Sequence, residues 1–275
     1  MGEADPATVS GFRMDKYLVT VGRFRQFVNA WNGGVGYLPP AGSGKHAYLN
    51  NGNGLNATGG GYEPGWAVSD DSNIAPTDAN LACRHFQPIS ATWTNTAGSQ
   101  ENLPVNCVNW YEAYAFCIWD GGFLPSEAEW EYASAGGSQQ REYPWGSTAP
   151  STACPGIGCQ YAIYNCDYPS GSVSPFRNCT GVMNIAPVGT ATLGVGLWGQ
   201  LDLAGDVEEW TLDWYATYSD PCTDCADFSA ASSAESSRVV RGGDFGAEYV
   251  FPQSRSLDFP ADREDTSGFR CSRSP

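Results

Sequence analysis

Lysine is nearly absent from this chain. It occurs only at positions 16 and 45, and Lys plus Arg total 14 against 30 Asp plus Glu, a formal charge of −16. A surface of that sign repels nucleic-acid phosphates and anionic membranes, so neither is expected as a partner. Basic partners and divalent cations are what it tolerates. No run of 18 apolar residues occurs, so no membrane insertion is expected. Histidine is limited to His46 and His85, and a lone histidine is more often packed or solvated than a metal ligand. Long helical patterns are few, while Gly and Pro number 33 and 18, which points to a loop-rich fold. Against these shortages stand ten Trp, fourteen Tyr and twelve Phe, enough bulk for a compact aromatic core.

Cysteine is plentiful: ten residues, an even number. That density, with little Lys, suits disulfides in an oxidising, extracytoplasmic setting, and the Met1-Gly2-Glu3 start reads as trimmed of an export signal. Zinc is the competing reading. Cys222 and Cys225 have ligand spacing and Cys154 and Cys159 offer a second pair, but zinc asks for closed sets of four ligands. Proximity along the chain suggests local bridges Cys83–Cys107, Cys154–Cys159, Cys166–Cys179 and Cys222–Cys225.

The periodic signal is concentrated in a few stretches. Residues 121–136, GGFLPSEAEWEYASAG, put a Gly-Gly turn and Pro125 before a short helix, with Ser126 and Glu129 at capping-box spacing. Its three glutamates, Glu127, Glu129 and Glu131, favour the helix dipole or line one face, and as such read first as solvated charges. Residues 205–215, GDVEEWTLDWY, repeat the acid-acid-Trp pattern in a β-prone context. A helix is expected over Val21–Trp31, with Thr20 as N-cap and Phe24, Phe27, Val28 and Trp31 on its apolar face, and a second over Trp110–Trp119. Residues 12–17, 238–245 and the tail 268–271 read as strands. Residues 32–80 carry little regular pattern, and Trp66 and Trp93 read as pinning residues. Residues 150–185 form a cysteine-rich insertion in which Asn165, Asp167 and Asn178 are oxygen ligands of the hard-cation type.

Taken in order, LPVNCVNWYEAYAFC, GGFLPSEAEWEYASAGG, YPWG, LDLAGDVEEWTLDWY, RVVRGGDF and GFRC resemble the formylglycine-generating enzyme (sulfatase-modifying factor) superfamily across residues 12–271. The resemblance implies an α+β fold of the modified C-type-lectin-like kind, low in regular structure and disulfide-braced. A single such domain over 10–275 is expected, with insertions at about 32–80 and 150–185. It implies a Cys117–Cys271 bridge, whereas the family's companion bridge would need cysteine near Ser134 and Leu257. The family's copper-binding cysteines fall on Ala247 and Pro252, so the chain reads as a divergent member lacking that pair, with no copper expected. Iron is not expected either, because the related iron enzymes draw a three-histidine set largely from an added helical domain. Structural calcium is what the resemblance supports, at Asn165 with Asn178 and at Asp206 with Glu209.

The groove of the family is expected around Asp244, Glu248, Tyr249 and Arg255, with Arg263 at its edge. Three roles follow. One is a secreted or periplasmic, calcium-stabilised module that binds a protein, peptide or small-molecule ligand. Another is an extracytoplasmic enzyme of altered oxidoreductase or maturation chemistry using Asp244 and Glu248, similar to a periplasmic family member needed for siderophore chromophore maturation. The third is a structural partner of another family enzyme. Fold analogy alone does not choose among them.

Overall fold

The structure, a computed structural model, describes residues 6–83, 90–150, 160–169, 179–229, 236–248 and 250–275. Helix α1 (Val21–Trp31) starts where Thr20 Oγ1 accepts the Arg23 N–H, and it stops where Asn32 turns left-handed. Its Phe24 and Phe27 are fully buried. A one-turn helix, α2 (Asp78–Leu81), is capped by Thr77. Helix α3 (Trp110–Trp119) opens with an Asn109/Glu112 capping box, and α4 (Glu127–Ser134) opens with the expected Ser126/Glu129 box. Each box satisfies two orphan backbone donors at once, which lets such short helices start sharply.

The strands are short: β1 (Ala7–Thr8), β2 (Arg13–Met14), β3 (Asn56–Ala57), β4 (Glu208–Trp214), β5 (Cys222–Thr223), β6 (Cys225–Ala226), β7 (Arg238–Arg241), β8 (Arg255–Asp258), β9 (Ser267–Gly268) and β10 (Ser272–Arg273). Four of them form the main sheet in the order β8-β7-β4-β9, antiparallel except for β4 with β9. β10 pairs antiparallel with β2, so the end of the chain closes on its beginning. The strand expected over residues 12–17 is therefore only Arg13–Met14.

Phe24, Phe27, Phe116 and Phe269 pack at centroid distances of 5.3–6.1 Å, joining α1, α3 and the tail. Trp210 Nε1 donates to Val108 O (3.0 Å) and Trp110 Nε1 to Thr211 O (2.8 Å), so both buried indoles are satisfied across the helix–sheet contact. Trp66 and Trp93 are buried and pinned by Asp71 and Asp78. Disulfides join Cys83–Cys107, Cys117–Cys271, Cys166–Cys179 and Cys222–Cys225, while Cys154 and Cys159 lie outside the described residues. The fold is thus α+β, sparse in regular structure and braced by disulfides, as the resemblance implies. Among the described residues no helix is long and apolar enough to cross a membrane.

The glutamates of α4 are not the solvated set their spacing suggests. Glu129 is buried and shares the His46 imidazole with Glu63: His46 Nδ1 lies 3.0 Å from Glu63 and Nε2 lies 3.0 Å from Glu129. Burial alone would lower the histidine's pKa, but the two carboxylates outweigh it and push it up to about 10. Held between the two carboxylates, His46 ties residues 46–63 to the start of α4.

Candidate functional site

A groove of about 500 Å³ runs along the other side of α4. Glu127, Ala128, Glu131 and Tyr132 line it from the helix, Asp213 from β4, and Tyr218 from the segment after β4. The Cys222–Cys225 bridge, Arg241 and Arg255 complete its wall. The bridge joins β5 to β6, and each of these strands is held by a parallel pairing to a distant segment, β5 to β1 and β6 to β3.

Charge in the groove is arranged in pairs. Arg255 donates from Nε and Nη2 to the two Glu127 oxygens, each at 2.7 Å, and from Nη1 to Ala216 O. Its guanidinium lies 4.2 Å from the Tyr215 ring centroid and 4.5 Å from that of Tyr218, while the Tyr218 hydroxyl donates to Glu127. Arg241 pairs with Glu131 and donates from Nη1 to Ser254 O (2.9 Å), and burial pulls its guanidinium down to about 10. Asp213 accepts the backbone N–H groups of Glu127 (2.7 Å) and Asp227 (2.8 Å). Burial, then the neighbouring charge of Glu127, nevertheless raises its carboxyl to about 7. The groove therefore holds one carboxylate fixed in an ion pair and another poised near neutrality.

Of the five groove residues named from sequence, Arg255 lines this cavity. Asp244 follows the Gly-Gly bend and accepts the Gly246 N–H. Glu248 is exposed, and Tyr249 lies outside the described residues. Arg263 holds the buried Glu112 in a 2.5 Å ion pair at the start of α3. Glu127, Asp213, Tyr218 and Arg241 were not singled out as groove residues, and only their contacts across the chain identify them.

Two expectations are corrected. Calcium is the first: among the described residues no group of three or more His, Cys, Asp or Glu could hold a metal ion. Glu209 gives both its oxygens to the buried Arg270 guanidinium, at 2.6 and 2.8 Å, so its charge is already neutralised. Asp206 accepts the Ala186 N–H with one oxygen, and burial followed by the charge of Asp202 holds its carboxyl well above the usual range. Asn165 faces Asp167 through its amide nitrogen, and Asn178 lies outside the described residues. The second concerns cysteine. The reading of a member without a cysteine pair is overturned by Cys222–Cys225, which is present, closed as a disulfide, and set in the groove wall.

Against known proteins, a family model described as "Sulfatase-modifying factor enzyme 1-like domain" matches residues 2–275. The formylglycine-generating enzyme of Mus musculus is 29% identical over 96% of this chain, which spans 66% of that enzyme's length. The "Inactive C-alpha-formylglycine-generating enzyme 2" of Mus musculus is 28% identical over 76% of this chain and 66% of its own. In structure the chain resembles PvdO from Pseudomonas aeruginosa, with a TM-score of 0.55 and 19% identity over 96% of this chain and 80% of that one.

Proposed function

The chain belongs to the sulfatase-modifying factor enzyme 1-like family, and we infer that it is an exported ligand-binding member that works through the α4 groove. The observation that carries this is the groove itself. It has the size of a small-ligand or side-chain site, two tyrosines, Tyr132 and Tyr218, in its lining, and polar groups held rigid by pairing. The cysteines speak against copper-dependent oxidation of the formylglycine-generating type. A thiolate is the species that ligates copper(I), and among the described residues no cysteine is free. Bridges of this number also support an oxidising compartment.

A second reading, an enzyme of different chemistry, is favoured by one feature. Asp213, its carboxyl raised to about 7 by burial and then by Glu127, stands beside the Glu127–Arg255 ion pair as a candidate acid–base group. Fragment soaking of crystals tests both readings. Fragments are expected in the groove and should be displaced in Ala128→Trp, which fills it from the helix. Fragments that ignore the groove and gather elsewhere would overturn the assignment. Turnover of a groove-bound compound that disappears in Asp213→Asn would replace binding by catalysis.

A further inference from the structure

We propose that the groove selects a cation, an alkylammonium or guanidinium carried on an apolar stem; this rests on reading the groove as the ligand site. The first observation is its charge. Four carboxyl groups line it, from Glu127, Glu131, Asp213 and Asp227, against two guanidiniums, Arg241 and Arg255.

The second is which groups are already used. All three nitrogens of Arg255 have acceptors. Arg241 spends Nη1 and Nη2 on Ser254 O and Glu131, and its Nε is sealed from solvent, 3.8 Å from Glu127. The groove's cations are therefore committed to the protein. Two of its four carboxylates are not: one oxygen of Glu131 and one of Asp227 carry no hydrogen bond among the described residues, while the other takes Arg241 and the Ser229 N–H respectively. The Glu131 side chain is 35% exposed, so its open oxygen is within a ligand's reach. A ligand entering here meets open carboxylate oxygens, while both guanidiniums are already held by the protein.

The third is the mouth. Tyr132 lines the groove one residue beyond Glu131 and stacks on Trp198 at 5.2 Å and 11°, with Trp198 half exposed. An electron-rich ring beside a carboxylate oxygen suits a cation's head, and the Ala128 side suits its methylenes. The −16 charge of the chain draws such ligands in and disfavours a second copy as occupant.

Calorimetric titration of the intact chain decides the class, using cadaverine, agmatine, a blocked tetrapeptide containing one Lys, its Glu counterpart and a neutral disaccharide. The Lys peptide or the small cations are expected to bind, and to weaken several-fold from about 0.05 to about 0.5 M salt. Glu131→Gln should weaken them about ten-fold, the loss of one charge-assisted contact, with a lower melting point because Arg241 loses its counter-charge. Asp227→Asn leaves that pair intact and should weaken them similarly, with melting near the parent's. Binding by the peptide alone identifies a protein or peptide source, and equal binding by cadaverine or agmatine a free amine or guanidine. Disaccharide or Glu-peptide binding without cation binding overturns the charge assignment and leaves the groove reading standing. Silence from every probe overturns both.

Discussion

Two disulfides mark two halves of this molecule, a sealed core and the wall of the α4 groove. Cys117–Cys271 links α3 to the tail across 154 residues, and neither cysteine is exposed. Cys222–Cys225 closes a loop only three residues apart in sequence, in the wall of the groove, with Cys225 partly exposed. Cross-links stabilise mainly by restricting the unfolded chain, and the effect grows with the loop they close. The first bridge therefore bears on global stability, whereas the second contributes little there and chiefly holds local shape. The same division holds for the ion pairs. Arg270–Glu209 is sealed in the core, while Arg255–Glu127 forms the groove's lining, stacked by tyrosines.

The largest effect is expected at the core bridge. Cys117→Ser with Cys271→Ser should cost about 5 kcal/mol, the loop-closure value for a ring of this length, read as a lower denaturation midpoint. A midpoint equal to the parent's would erase the distinction between the two halves.

Next comes the buried histidine that joins them. Folding raises the His46 pKa from its ordinary 6.5 to about 10. The folded state therefore binds the extra proton, and the stabilisation is fully present below pH 6.5 and lost as pH rises through 10. Denaturant titrations at pH 8 and pH 10.5 should show the fall, and His46→Gln should flatten it. Asp213 drives the same trend at lower pH. Its folded pKa of about 7 makes stability decline between the ordinary aspartate range and neutrality, outside the window used for His46. An unchanged slope in His46→Gln would mean that the imidazole is neutral in the fold.

Much of the core half was legible in the sequence because its signals are local. Thr20, Asn109 and Ser126 sit one residue before the helices they cap, and the apolar face of α1 repeats at helical spacing. The groove half was not, because its contacts are remote. Glu127 meets Asp213 at a separation of 86 residues and Arg255 at 128. Glu127, Glu129 and Glu131, alternate residues of one short helix, look alike in sequence. Folding gives each a different partner: Arg255, His46 and Arg241. The calcium expectation failed for a related reason. Asp206 and Glu209 have the right atoms, but the sequence does not reveal that Arg270, 61 residues on from Glu209, already occupies it.

The smallest effect on stability, and the sharpest test of the comparison, is at the groove bridge. Replacing both Cys222 and Cys225 by Ser should cost about 2 kcal/mol or less, since so short a ring removes little unfolded-state freedom. What it should change is the groove. β5 and β6 carry only two-residue pairings to β1 and β3, so without the bridge the wall they form loses the link that keeps those pairings in step. Amide hydrogen exchange in residues 222–226 should rise while that of α1 and α3 stays at the parent's level. Mild phosphine treatment followed by alkylation and peptide mass mapping gives an independent check. Cys225 should label before Cys117 and Cys271, whose sulfurs are enclosed by the core. Labelling in the reverse order, or loosening that spreads into α3, would show that the two halves unfold as one unit and that the groove wall is no softer than the core it leans on.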